Sequence, residues 1–431
     1  MIKPSSKVDW LLQYVSKLSS EYQGVVEKES QDFSQDKIKL VFHEQRFRNF
    51  LTGKEDKIVP ITFEVWPSLT CNARCPLCTY ALNNARLEAD RSENLFVADV
   101  STYKRIFESF RQAGVHSLII TGGGEPTLHP QVADLLSHAY RLGFAWGMFT
   151  HGLNLTEKLI HDFLACEPRF IRVSVNAGSA RSHELEYRVG KGSYAQVAQN
   201  VTLAAKISHQ YNRVIGLGYA LNGRLKDAEL DGIVDFVSQI MESSQGGLRS
   251  VAFRPKVVYY TKQGHVASTQ PGVQNLTTLS QKINDKIVTV LQKRFGDSLH
   301  IDHKQAMFNR LAQGETSRPA IGNAWTSQID HQGKGYILSE LNGSPWENSC
   351  YGQFTGDNFN EVWASHTRLH LSNLYNSGKL RPPVHHKISH VDDFLNDIRE
   401  AIGILTKQEA DEFYTGVETL GLQRPKNWDF L

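Results

Sequence analysis

Two hydrophobic patterns alternate along the chain between residues 58 and 260. The first consists of short continuous apolar runs, which are typical of buried strands. In the second, apolar residues recur every three or four positions, as in Tyr103, Ile106 and Phe107 before Gly114. This spacing predicts amphipathic helices, and a glycine after the last turn indicates where a helix ends. The strand-like runs lie at residues 61–66, 117–121, 144–149, 170–175, 214–220 and 250–254.

Strands that alternate with helices predict a parallel sheet whose crossovers are right-handed. The six units of this sequence are too few for a closed eight-stranded barrel. We therefore predict an α/β fold built on a partial (β/α)6 TIM-like barrel. In such folds the functional residues lie in loops at the carboxyl ends of the strands.

The two ends of the chain follow other patterns. Residues 1–57 are predicted as an N-terminal helical extension, residues 58–260 as the barrel, and residues 261–431 as a smaller α+β C-terminal region that covers the substrate. The alternation is expected to stop after Pro255, where polar turn residues at 262–277 predict a linker. Further predicted elements are a helix at 278–295, a hairpin at 328–340 and helices in the last forty residues.

Composition narrows the class of protein. The chain has 431 residues, of which 40% are hydrophobic, and a net charge of +2 from 47 basic and 45 acidic side chains. Nucleic-acid-binding domains usually have a clear basic excess, so no nucleic-acid partner is expected. No apolar run is long enough to cross a bilayer, and the first residues lack a signal-peptide core, so we expect a cytoplasmic protein without a membrane partner.

Three of the five cysteines, Cys71, Cys75 and Cys78, lie within eight positions directly after the first predicted strand. Iron–sulfur clusters are bound by cysteine thiolates, usually four. Because Cys166 and Cys350 are far away in sequence, three ligands would leave one iron open for chemistry. The alternative is a zinc site completed by one of the 17 histidines, since structural zinc takes four protein ligands.

A glycine-rich segment follows the second predicted strand, with Gly122, Gly123 and Gly124 before Glu125 and Pro126. Consecutive glycines let a backbone approach a ligand closely. Phosphate binding is the usual alternative for such a loop, but this one lacks the Gly-Lys-Ser/Thr ending of a P-loop.

The C-x-x-x-C-x-x-C loop after strand one, together with the Gly-Gly-Glu-Pro loop after strand two, resembles the signature of the radical S-adenosylmethionine (SAM) superfamily. The resemblance implies one [4Fe–4S] cluster on Cys71, Cys75 and Cys78, with SAM chelated to the open iron. It also implies reductive cleavage of SAM to a 5′-deoxyadenosyl radical, which abstracts hydrogen from the substrate. A flavodoxin- or ferredoxin-type protein would supply the electron.

The same resemblance implies a set of SAM-binding residues. Three positions depart from the family pattern: Leu77 is apolar but not aromatic, His151 replaces the asparagine of a Thr-Asn-Gly turn, and Asn176 replaces a common aspartate. A purely local role for His151, satisfying nearby backbone groups, is the simpler interpretation. For Arg188 a solvated surface arginine is the alternative. The implied residues are Leu77, Gly123, Gly124, Glu125, Ser174, Asn176, Arg188 and Asn222.

Residues 328–384 faintly resemble the SPASM or twitch domain, which binds auxiliary clusters through several cysteines. This region contains Cys350 alone, so we interpret it as a degenerate version without an auxiliary cluster. Cys350 is then either a small buried hydrophobic residue or a hydrogen-atom donor near the substrate.

Together these features predict a radical SAM enzyme that acts on a polar substrate, in biosynthetic tailoring of a sugar- or aminoglycoside-like small molecule or of a peptide. Epimerisation, dehydrogenation, dehydration and cross-linking all remain open as outcomes. The alternative is a non-catalytic metal-binding or redox-sensing protein whose cysteines hold zinc or a sensor cluster.

Overall fold

One sheet of ten strands runs through the computed structural model. The strands are β1 (Thr62–Val65), β2 (Ser117–Ile120), β3 (Ala145–Thr150), β4 (Phe170–Ser174), β5 (Ile215–Leu221), β6 (Leu248–Pro255), β7 (His300–His303), β8 (Thr326–Ile329), β9 (Lys334–Tyr336) and β10 (Cys350–Gln353). Their order is β10-β9-β8-β1-β2-β3-β4-β5-β6-β7. The structure describes residues 5–26, 37–75, 78, 96–223, 225–256, 275–313, 318–337, 349–380, 389–422, 424–425 and 428–431.

Strands β1 to β7 are parallel, and β8 pairs parallel with the other side of β1. Strands β9 and β10 continue the sheet in antiparallel pairs. The described α-helices are α1 (Lys7–Val26), α2 (Glu44–Leu51), α3 (Val100–Gln112), α4 (Val132–Arg141), α5 (Glu157–Ala165), α6 (Ala180–Tyr187), α7 (Ser193–Tyr211), α8 (Asp227–Ser243), α9 (Leu276–Ile283), α10 (Thr289–Phe295), α11 (Gln305–Ala312), α12 (Phe359–Trp363), α13 (His366–Asn376), α14 (Ser389–Ile402) and α15 (Lys407–Thr419). A π-helical turn at Asn284–Val288 joins α9 to α10. None of the described helices has both the length and the apolar character that a membrane span requires.

The two faces of the sheet differ in chemistry. The outer face is apolar and packs under the crossover helices; for example, the Phe63 ring lies 4.1 Å from that of Phe110 in α3. The inner face carries polar and small residues, including Glu64, Arg172 and Gly216, the last two being register partners. It also carries the apolar residues Ile119, Phe149 and Phe170. Burial of the outer face provides the hydrophobic stabilisation, and the inner face is left for the site.

Residues 428–431 cover the amino-terminal end of the inner face. The Phe430 ring packs 5.5 Å from that of Phe170, at the first residue of β4. The backbone N–H of Leu431 donates to Thr62 Oγ1 over 3.0 Å, and Arg169 pairs with Asp429 over 3.2 Å. The open end of the partial barrel is therefore the end at which its parallel strands finish.

Helices from the two ends of the chain pack together beside the barrel. Tyr14 in α1 donates a 2.9 Å hydrogen bond to Asp397 in α14 and stacks on Phe394, with ring centroids 5.9 Å apart. Phe47 in α2 contacts the ring of Phe413 in α15 over 6.0 Å. The predicted N-terminal helical extension is thus held by the predicted C-terminal helices.

The α/β class and the partial barrel are confirmed, and all six predicted barrel strands are present within two residues of their expected bounds. The helix at 278–295 and the hairpin of β8 and β9 are also found, whereas most of the linker at 262–277 lies outside the described residues. The expected stop after Pro255 is wrong, because β7 extends the parallel sheet beyond β6. All four residues of β7 are only half-buried, which is why this strand has no apolar pattern.

Candidate active site

The three clustered cysteines lie beyond the end of β1 and are half-buried. The pKa of the Cys71 thiol is raised to about 11 and that of Cys75 to about 12, mainly by burial, and the charge of Cys78 contributes to both rises. The three sulfur groups are thus close enough to influence one another. Such thiols become thiolates when a cation coordinates them. Among the described residues, no three His, Cys, Asp or Glu side chains are grouped so as to hold a single metal ion.

The first part of the cysteine loop (residues 71–78) and the segment that leads into it are fixed from two sides. On one side the backbone N–H groups of Gly124 and Glu125 donate to the carbonyls of Ser68 and Thr70, over 3.1 Å and 2.8 Å. On the other side, the N–H of Arg74 donates to the carbonyl of Tyr187 over 2.8 Å. The loop is therefore held between the end of β2 and the end of α6.

Close packing against the segment that leads into Cys71 explains the consecutive glycines. A Cβ atom on Gly124 would lie 2.2 Å from the carbonyl oxygen of Thr70, and one on Gly123 would lie 2.6 Å from Leu69 Cδ2. A side chain on Gly124 would require the backbone to move, and one on Gly123 would require the half-buried Leu69 side chain to move. The glycine loop, residues 122–124, therefore packs directly on the segment before the cysteine loop, with its backbone groups unshielded by side chains.

The carboxylate of Glu125 is buried and accepts hydrogen bonds from four groups around it. These are the backbone N–H of Thr127 at 3.2 Å, Thr127 Oγ1 at 2.6 Å, Thr150 Oγ1 at 2.5 Å and the backbone N–H of His151 at 2.9 Å. Because the donors come from the loop after β2 and from the end of β3, Glu125 fixes the glycine loop relative to β3. These contacts make it a positioning residue.

His151 connects the turn after β3 to the cysteine loop. Its Nδ1 accepts from the backbone N–H of Leu153 over 3.1 Å, so the proton lies on Nε2, which donates to Asn72 Oδ1 over 2.7 Å. The local backbone role predicted for His151 is confirmed. The contact with Asn72 shows that the role is not only local.

Asn176, the residue in place of a common aspartate, links two strands and a helix. It has a left-handed backbone with φ of 55°, which asparagine tolerates better than most residues. Its Oδ1 accepts from the N–H of Ala220 in β5 over 2.7 Å, and its Nδ2 donates to the Tyr187 hydroxyl over 2.9 Å. That hydroxyl donates in turn to the carbonyl of Ser174 over 2.5 Å.

Residues 67–231 match the family described as the Radical SAM superfamily. This chain carries a radical SAM domain.

Solved structures share its fold. SuiB of Streptococcus suis is 14% identical over 83% of this chain and 79% of that one, with a TM-score of 0.55. The protein anSMEcpe, solved with bound AdoMet, is 13% identical over 84% of this chain and 97% of that one, with a TM-score of 0.51. At such low identity the likeness concerns the fold alone.

Within the radical SAM domain, the structure brings most of the predicted site residues to the carboxyl ends of the strands. Gly123, Gly124 and Glu125 lie in the loop that packs on the segment before the three cysteines. Ser174 is the last residue of β4, and Asn176 follows two positions later. Asn222 follows β5, and Arg188 is exposed at the end of α6 with a left-handed φ of 49°. Leu77 lies outside the described residues. The binding roles of these residues remain predictions.

Cys350 is separated from this group. It is the first residue of β10 and is paired with Tyr336 of β9. Tyr336 is paired with Gln328 of β8, and Gln328 is paired with Glu64 of β1. Three strand spacings, about 14 Å in all, therefore separate it from β1. Its Sγ lies 3.5 Å from the carbonyl oxygen of Gly352, and burial raises its pKa.

Sequence reasoning missed three residues that surround the predicted site. Tyr187 connects the cysteine loop, Asn176 and Ser174, and Asn72 accepts from His151. Lys256, directly after β6, forms an ion pair with Glu186. The position of Lys256 at the carboxyl end of a parallel strand was the signal that could have identified it.

Proposed function

We propose that this protein is a radical SAM enzyme that holds one [4Fe–4S] cluster on Cys71, Cys75 and Cys78 and cleaves SAM reductively. The observation that carries the proposal is the direct packing of the glycine loop against the segment that leads into the cysteine loop, through the bonds from Gly124 and Glu125. A redox sensor needs the cysteines but has no need of a backbone cradle beside them.

The donor set fits the cluster, because three thiols of one loop leave one iron without a protein ligand. When bound, the cluster and SAM supply a 5′-deoxyadenosyl radical. The residues of this chain bind, orient and shield these groups. The backbone of Gly123 and Gly124 is the proposed seat for the methionyl end of SAM, and Glu125 and His151 hold that seat in register with the cysteine loop.

The inner face of the barrel supports a polar substrate. Arg254 is exposed near the end of β6, in register with Ala220 of β5, and lies on the same face as Arg172. The pKa of Arg172 is lowered to about 10, mainly by burial; the charge of Asp302 opposes this lowering, and the charge of Arg254 adds to it. An anionic or strongly polar group placed between the two guanidinium groups would relieve their repulsion.

A polar small molecule, such as an aminoglycoside-like sugar, and a peptide both meet this requirement. SuiB has been solved bound to its precursor peptide SuiA, which supports the peptide alternative. We propose a biosynthetic tailoring reaction, in which the substrate decides whether hydrogen abstraction leads to epimerisation, dehydrogenation, dehydration or cross-linking. A low-potential flavodoxin- or ferredoxin-type protein is the proposed electron donor.

The test is anaerobic reconstitution followed by incubation with dithionite and SAM. We expect about four irons per chain and formation of 5′-deoxyadenosine and methionine, measured by mass spectrometry. Cys75→Ala should abolish both signals. Cys166→Ala is the matched control, because Cys166 ends α5 in the hydrophobic core and should leave both intact.

Two other results would contradict the proposal in different ways. An intact cluster that never produces 5′-deoxyadenosine would favour the redox sensor. Oxygen-protected protein that contains zinc and lacks the brown iron–sulfur chromophore would favour the zinc site.

A further inference from the structure

Lys256 and Glu186 form a largely buried ion pair between the end of β6 and the end of α6. The side chain of Lys256 is 11% exposed and that of Glu186 is 22% exposed. Lys256 follows β6, where its backbone N–H donates to the carbonyl of Leu221, and Glu186 is the penultimate residue of α6. Burying two charges is expensive, and replacing such pairs with apolar residues is often stabilising. The cost of burying both charges indicates that the pair has a functional role.

The pair lies beside the cysteine loop. Tyr187, next to Glu186, accepts through its carbonyl from the N–H of Arg74, which directly precedes Cys75. The charges of Cys75 and Cys78 both raise the pKa of Lys256, against the larger lowering by burial, and the charge of Lys256 in turn lowers the pKa of Cys75. Lys256 is thus a cation held close to two of the three proposed cluster ligands, and Glu186 partly balances its charge.

Electrostatics gives the two partners opposite effects on a redox centre at the cysteines. Reduction of the cluster by one electron adds one negative charge there. A nearby cation stabilises the reduced form, and a nearby carboxylate stabilises the oxidised form. In a half-buried site these interactions are screened less than on an exposed surface.

We propose that the Lys256–Glu186 pair sets the reduction potential of the cluster: Lys256 favours the reduced state that cleaves SAM, and Glu186 limits this effect. The inference rests on the proposed function, since it requires the cluster. No bond forms or breaks in this step. One electron passes from an external low-potential donor to the cluster, and the two side chains change only the relative energies of its oxidised and reduced states. Both side chains act through their charges and take no direct part in the chemistry.

The experiment is a redox titration of the reconstituted holoenzyme without SAM, followed by electron paramagnetic resonance of the reduced cluster. We expect Lys256→Gln to lower the midpoint potential and Glu186→Gln to raise it. Each change should alter the ratio of reduced to oxidised cluster at a fixed potential by about tenfold, which is about 59 mV for a one-electron couple. Lys256→Arg should remain near the wild type.

Two further variants serve as internal controls. The double variant Lys256→Gln/Glu186→Gln should return towards the wild-type potential, because both charges are removed together. Lys104→Gln breaks the 2.6 Å ion pair with Asp134 between α3 and α4, and it should change nothing.

Shifts of the same sign in the two single variants, or no shift in either with normal cluster content, would overturn the inference and leave the proposed function intact. Glu186→Gln keeps the test decisive if Lys256→Gln does not fold, since only an electrostatic effect predicts a rise in potential. Absence of any cluster signal in the wild type would instead contradict the proposed function.

Discussion

His151 Nε2 donates to Asn72 Oδ1 over 2.7 Å, so the turn after β3 directly supports the cysteine loop. Removing this bond should destabilise the folded conformation of the cysteine loop by about 1 kcal/mol, the usual contribution of one hydrogen bond. We expect His151→Ala to lose iron to a chelator several times faster than the wild type. Iron release is measured optically after anaerobic addition of a ferrous chelator.

The matched control is His209, an exposed histidine whose Nε2 lies 3.2 Å from the carbonyl oxygen of Gln245. His209→Ala should release iron at the wild-type rate. Equal rates for His151→Ala and the wild type would mean that the bond to Asn72 does not stabilise the loop.

Glu125→Gln should destabilise the fold. The amide keeps one acceptor oxygen and places a donor group where the carboxylate accepted from Thr150 or His151. Because the site is buried, we expect a loss of about 2–3 kcal/mol in the free energy of unfolding, measured by urea denaturation. Glu242→Gln, at an exposed ion pair with Arg294, should cost less than about 1 kcal/mol. Similar costs for both variants would contradict the assigned role of Glu125.

Gly124→Ala should prevent cluster binding, because the new methyl group would meet the carbonyl oxygen of Thr70 at 2.2 Å. The segment before Cys71 would have to move. We expect far less than a full complement of iron after reconstitution. Gly190→Ala should reconstitute normally, since a methyl group on Gly190 would meet no atom within 4 Å. Normal iron content in Gly124→Ala would show that the close approach is dispensable.

Acid should weaken the fold through His43. Burial lowers its pKa to about 3, while the unfolded value is near 6.5, so the unfolded state takes up the proton first as the pH falls. Stability is then retained above the unfolded pKa and lost below it, by about 2 kcal/mol between about pH 7 and about pH 5. Urea denaturation at both pH values should show a smaller loss in His43→Gln. An unchanged pH dependence in that variant would assign the acid sensitivity to other groups.

Cys350→Ser should leave SAM cleavage unchanged, because β8 and β9 separate Cys350 from β1. We expect the wild-type yield of 5′-deoxyadenosine under reducing, anaerobic conditions. Once a substrate is known, its product should also be unchanged, as compared by mass spectrometry. An altered product with normal 5′-deoxyadenosine would instead identify Cys350 as the hydrogen-atom donor.

The predicted strands were correct because buried parallel strands have continuous apolar runs that are visible locally. Strand β7 breaks this rule, since Asp302 and its neighbours are only half-buried. That β8 lies beside β1 could not be predicted, because hydrophobic periodicity carries no information on which distant strands pair.

The candidate site likewise has one part that the sequence predicts and another that only the structure reveals. Cys71, Cys75 and Cys78 form a local motif that is visible in the sequence. The bond between Arg74 and Tyr187 and the pair of Lys256 with Glu186 join segments far apart in the chain, so only the folded structure brings them together.

The cover formed by residues 428–431 has a kinetic consequence. The ring of Phe430 and the N–H of Leu431 occupy the foot of the inner face, next to Phe170 and Thr62. Among the described residues, this end of the inner face is therefore closed, and a molecule bound there would enter and leave at the carboxyl ends of the strands. The proposed product would then have to depart before the next substrate binds.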